Sequence, residues 1–98
     1  MTPNILIAED LRLEVARATR KFPTWPTDPI HAAAVLAEEA GEVQKAVLQA
    51  VYEPHKSGPL DVRAEVVQTA AMCLRFLASL DADKYEWTPG KQHRQGTP

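Results

Sequence analysis

Three stretches of the chain repeat their apolar residues at three- and four-residue spacing, and proline-rich breaks separate them. Ile5, Ala8, Leu11, Val15, Ala18 and Phe22 mark the first stripe, which predicts a helix α1 over about residues 4–21. Thr2-Pro3-Asn4 is a suitable start, and Arg12, Arg17, Arg20 and Lys21 make the later turns basic, as the C-terminal end of a helix dipole prefers. The run Phe22–Pro29 contains three prolines and cannot continue a helix. Asp28 followed by Pro29 gives a capping side chain and then a residue preset for a first turn, so α2 is predicted from Pro29 to about Glu53, before Pro54.

At about 100° per residue, Leu36, Ala40, Val43 and Val47 form an apolar side of α2. His31, Glu38, Glu42, Lys45 and Gln49 form a polar stripe, with Glu39 at its shoulder. The turn Pro54–Pro59 leads into α3, predicted over about residues 60–80. Val62, Val66, Val67, Ala70, Cys73, Leu74, Leu77 and Leu80 cover much of its circumference, which predicts a central helix. Its polar line is narrow: Asp61, Glu65, Gln68 and Arg75. The short connection makes α2 and α3 antiparallel neighbours whose polar lines face each other across a cleft. The fold class is therefore all-α, a helical bundle subunit with antiparallel core helices. The helical domain is expected over residues 1–81. Residues 82–98 are expected to form an extended or mobile C-terminal tail, its first part anchored by Tyr85 and Trp87 on the body or on a partner subunit.

Composition adds three constraints. Alanine-rich helices approach one another closely but build a thin core for a lone chain of 98 residues, so self-association is expected to complete it. A net charge of −2 gives no basic footprint for nucleic acid, and no apolar run approaches a membrane span. The early acids Glu9 and Asp10 argue against a signal peptide, and the single cysteine suits a reducing cytoplasm. Cys73 lies in an apolar run and is expected to be a buried, inert thiol.

The chemistry lies in the acids. Glu39 and Glu42 are spaced i, i+3 on α2, and Glu65 and Gln68 are spaced i, i+3 on α3. Two such pairs on antiparallel helices can converge four oxygen-bearing side chains on a hard cation such as Mg²⁺, with Mn²⁺ as a substitute. The competing reading is a solvated acidic stripe on α2. Glu65 and Gln68 weaken it, because they interrupt a segment otherwise too apolar to be exposed. Lys45, three residues past Glu42, either meets substrate phosphate or pairs with Glu42. Trp25 either stacks on a base or fixes the path between α1 and α2. Arg75 either reaches a phosphate or pairs with an acid. His31 is a surface or packing residue on this reading.

Glu38-Glu39-Ala40-Gly41-Glu42 and, after 22 intervening residues, Glu65-Val66-Val67-Gln68 resemble the pattern of the MazG-type all-α nucleoside triphosphate pyrophosphohydrolases. That pattern is E-E-x-x-E on one helix and E-x-x-D on the next, and the resemblance covers about residues 29–80. It implies a helical subunit that assembles into dimers or tetramers, binds Mg²⁺, and hydrolyses a (d)NTP to the monophosphate and pyrophosphate. It also implies that Glu39, Glu42 and Glu65 are metal ligands and that Glu38 is a further ligand or orients the attacking water. Gln68 stands where the family has aspartate: its carbonyl can ligate but adds no charge, and Asp61, one turn before Glu65, is the candidate to restore it. Gln68 also keeps a second class open, a non-catalytic helical oligomerisation or binding module that retains the same frame.

Overall fold

The structure is a computed structural model that describes residues 4–88. It contains α1 (Asn4–Lys21), α2 (Pro29–Tyr52) and α3 (Pro59–Asp81), all within two residues of the expected bounds. The fold is all-α, and no strand occurs among the described residues. No helix there is long and apolar enough to cross a membrane. The expectations for Thr2-Pro3 and for residues 89–98 lie outside the described residues.

Local chemistry sets the boundaries. The Asp28 carboxylate accepts from the Ile30 N–H at 2.9 Å and caps α2, with Pro29 in the first turn. Asp61 reaches back to accept from the Gly58 N–H at 2.9 Å and closes the start of α3. Ser57, buried in the turn, donates to the Ala46 carbonyl at 3.0 Å and pins the α2–α3 connection to the body of α2. After α3, Asp83 adopts a left-handed conformation (φ 57°) that reverses the chain, and the Lys84 N–H bonds the Ser79 carbonyl at 2.9 Å.

α3 is the central helix: it packs against both α1 and α2, which do not pack on each other. Ala18, Ala32, Ala46 and Ala71, one or two from each helix, are buried, and Ala32 and Ala71 are fully inaccessible. Alanine leaves little side chain at these contacts, so the backbones approach closely. No large side chain is fully buried among the described residues. Between α1 and α3, Arg63 pairs with Asp10 at 2.9 Å on the exposed rim.

Packing selects faces that hydrophobicity alone did not. On α2 the inward line runs Ala32–Glu39–Ala46, and the expected apolar side is divided, with Leu36 and Val43 half-buried but Ala40 and Val47 exposed. On α3 the polar residues Glu65, Gln68 and Arg75 are half-buried, whereas Val66, Cys73, Leu74 and Leu77 are exposed. Cys73 is therefore an exposed thiol in the single chain, not the buried one expected. The cause is α1, which occupies the polar side of the α2–α3 pair and leaves the apolar side uncovered.

Because Ala71 is fully shut off from solvent at the contact of the central helix, Ala71→Leu is expected to lower stability by about 1–3 kcal/mol through overpacking, read from chemical denaturation.

Candidate active-site cleft

α1 and α2 stand apart over α3, and the gap between them is a cleft of about 480 Å³. Each helix contributes charge to it. α1 supplies Glu14, Arg17 and Lys21; α2 supplies Glu38 and Glu39; α3 supplies Gln68 and Arg75. Trp25, on the α1–α2 connection, closes one end.

Glu39 is the electrostatic centre. It is half-buried, on the same line of α2 as the fully enclosed Ala32. Loss of water pushes its carboxyl above the ordinary value of 4.5, and the negative charges of Glu65, Glu42, Glu38 and Glu14 push it further. Five carboxylates from three helices thus share one electrostatic neighbourhood. Glu14 was not foreseen in the sequence, although a signal existed: it lies three residues after Leu11 and four before Ala18, on the packed side of α1. There it bonds Arg17 through both carboxylate oxygens, with Arg17 Nε donating to Glu14 Oε1 at 3.0 Å.

The other expected site residues divide clearly. Glu38, Glu39, Gln68, Trp25 and Arg75 share the cleft. Glu42 and Glu65 act on Glu39 from its edge. Lys45 does not join them: it lines a separate groove with Gly41, Gln49 and Tyr52, and it forms no ion pair among the described residues. The turn of α2 that brings Glu39 inward swings Lys45 into this other groove, and the pairing with Glu42 is not formed. Asp61 is exposed and engaged in closing α3, and it is not among the charges that act on Glu39. His31 is exposed, as expected.

The aromatic end of the cleft is tied down by the chain that follows α3. Trp25 Nε1 donates to the Tyr85 hydroxyl at 2.7 Å, and that hydroxyl donates to the Phe76 carbonyl at 3.3 Å. The Tyr85 ring is buried against Phe76, with centroids 4.8 Å apart, and Trp87 meets its edge at 5.7 Å. Beside it, Glu86 N–H bonds the Thr27 carbonyl at 2.9 Å. Arg75 completes the clamp. It donates to the Phe22 carbonyl at 2.7 Å and the Thr24 carbonyl at 3.3 Å, with its guanidinium 5.0 Å from the centre of the Trp25 ring. Arg75 thus holds the α1–α2 connection through backbone oxygens and pairs with no acid among the described residues. Trp25 fixes the connection, as one of its two readings expects, and its half-buried ring lines the cleft.

The donor set is all oxygen, anionic and drawn from rigid helices, which fits a hard divalent cation. As the side chains stand, no three His, Cys, Asp or Glu residues among those described form a closed metal-binding group. The fit therefore rests on donor chemistry and on the mutual repulsion that a cation would relieve. The chain matches no family model, no curated protein and no solved structure.

The raised Glu39 carboxyl has a calculable consequence. Its proton is held more tightly in the folded state, so stability falls as pH rises from 4.5 through the folded value and stays reduced above it. In metal-free buffer Glu39→Gln is accordingly expected to raise Tm at neutral pH, with the gain vanishing below pH 4.5 where both states are protonated. Calorimetry across pH reads this directly.

Proposed function

We propose that this chain is a MazG-type nucleotide pyrophosphohydrolase, converting a (d)NTP to the (d)NMP and pyrophosphate in the cytoplasm with Mg²⁺. The observation that carries this reading is Glu39, half-buried and faced by four other carboxylates beside a cleft that ends in an aromatic ring. Such a concentration of negative charge is costly to keep without a counter-charge, and a divalent cation shared with a bound polyphosphate would supply one.

Glu39, Glu42 and Glu65 hold the cation in this reading, with the Gln68 carbonyl as a neutral fourth donor. When bound, Mg²⁺ offsets phosphate charge and makes a coordinated water more acidic. Trp25 stacks against the base, its ring fixed from behind by Tyr85 and Arg75. Lys21, on the α1 wall and without an ion pair among the described residues, takes the phosphate contact first expected of Lys45. Glu38, exposed on the lip of the cleft, orients the attacking water and accepts its proton. The water oxygen bonds to the α-phosphorus, the bond from that phosphorus to the bridging oxygen breaks, and pyrophosphate leaves.

Gln68 favours a second reading, a helical binding module that holds metal or nucleotide without turnover. It lines the cleft as a neutral group among carboxylates.

Pyrophosphate release from a panel of standard and modified (d)NTPs, dUTP included, with and without Mg²⁺, separates the two. Metal-dependent release is expected, abolished in Glu38→Gln and Glu42→Gln with the fold retained. Mg²⁺ should bind roughly 10-fold or more weakly to Glu39→Ala, by calorimetry, and about 10-fold more tightly to Gln68→Asp. Silence across the panel with Mg²⁺ still bound would establish the binding module instead.

A further inference from the structure

The cleft does not stop at Glu14, Arg17 and Gln68. The same three side chains line a second cavity, of about 300 Å³, between α1 and α3. These two helices run in the same direction. Asp10 pairs with Arg63 at one end, and the Phe22 carbonyl accepts from Arg75 at the other, twelve residues further along both helices. At 1.5 Å per residue the two ties stand about 18 Å apart. The second cavity, which holds Asp10 and Arg63, therefore prolongs the cleft at the end away from Trp25. At 100° per residue Asp10, Glu14, Arg17 and Lys21 fall within a sector of about 60°, so one side of α1 lines both spaces.

Its donors suit an anion. Arg17 spends Nε and Nη2 on Glu14, and Arg63 meets Asp10 through Nη2 alone. A guanidinium carries five N–H groups, so both arginines keep donors beyond these pairs. Both side chains are about half exposed, 50% for Arg17 and 46% for Arg63, where ion pairs are weak and exchange readily. Gln68 stands between the two spaces, and its carboxamide has a carbonyl on one corner and an NH₂ on the other. The carbonyl can serve the carboxylate side while the NH₂ donates into the second cavity. An aspartate at this position would repel an anion from it. The rest of the lining is apolar and adds no competing charge. Each arginine fork matches two oxygens of one phosphoryl group, so two forks on facing helices match two such groups.

We infer that the second cavity is a diphosphate site, in which Arg17, Arg63 and the Gln68 amide hold pyrophosphate as it leaves the cleft. That the anion comes from a nucleotide rests on the proposed function; the donors and their placement do not. Gln68 then has a positive role: it puts a donor where an acid would bar the departing group.

Calorimetric titration of the full chain with inorganic pyrophosphate, in metal-free buffer, tests it. The wild-type chain is expected to bind with a Kd of about 1 mM or below, and inorganic phosphate about 10-fold more weakly. Arg63→Gln and Gln68→Asp should each weaken pyrophosphate about 10-fold, with helical circular dichroism retained. Asp10→Asn removes the acid that competes for Arg63 and should tighten binding about 3-fold or more. These opposite signs separate an anion site from a tie that merely holds α1 on α3, for which Asp10→Asn and Arg63→Gln would lose binding alike. Absence of pyrophosphate binding overturns the inference, and so does equal affinity in the wild type and Arg63→Gln, or a loss in Asp10→Asn. Turnover of a (d)NTP with a pyrophosphate affinity indifferent to Arg63 would refute the site alone. The expected pattern without turnover would leave the site standing and refute only the enzymatic reading.

Discussion

The structure depends on alanine at the helix contacts. Ala18, Ala32, Ala46 and Ala71 let three long helices meet almost backbone to backbone, with α3 in the middle. A contact made of methyl groups holds helices at short range, and it buries little apolar area, on the order of 25 cal/mol for each Å² removed from water. Stability must come from elsewhere as well: the capping carboxylates of Asp28 and Asp61, the Ser57 pin, and the cluster of Tyr85, Phe76 and Trp25 at one end. Larger residues at the contacts would add area but push the helices apart, and Glu39 would then lose its proximity to Glu65.

That proximity has an electrostatic cost which the fold accepts. Glu39 sits among four like charges where water is partly excluded, and it would be more comfortable neutral. In the function proposed above, that repulsion is what a hard cation would relieve. The other charges are arranged to contain this. Glu14 is neutralised locally by Arg17, and Arg75, which has lost water and stands below its ordinary pKa, spends its donors on backbone carbonyls instead of on an acid. The acids at the centre are thereby left without a fixed basic partner among the described residues.

The loop that carries Trp25 shows how distant parts of the chain cooperate. Three prolines make it extended, but nothing local sets the orientation of the indole. Residues that follow α3 do so, through the Tyr85 hydroxyl and the Glu86 N–H, some 60 positions along the chain. The left-handed turn at Asp83 makes this return feasible, because it sends the chain back along α3 toward Phe76.

Helix boundaries were legible in the sequence because their causes are local: the proline-rich breaks, the Asp28 cap followed by Pro29, and a three-to-four spacing of apolar residues; the closing of α3 by Asp61 was not foreseen. The acidic residues of the cleft were legible for the same reason, since i, i+3 spacing places Glu39 beside Glu42 and Glu65 beside Gln68 on any helix. Which side of each helix faces inward was not. Hydrophobicity placed Cys73 inside and left Arg75 on a narrow polar line, whereas α1 settles on that polar side, encloses Gln68 and Arg75, and leaves Cys73, Leu77 and Val47 exposed. Glu14 joined the acids, and Lys45 left them, through the relative rotation of packed helices. The sequence by itself determined the helices and their chemistry, because these follow from interactions within a turn or two. Tertiary structure alone decided which faces meet, because that depends on shape matching between segments far apart in the chain.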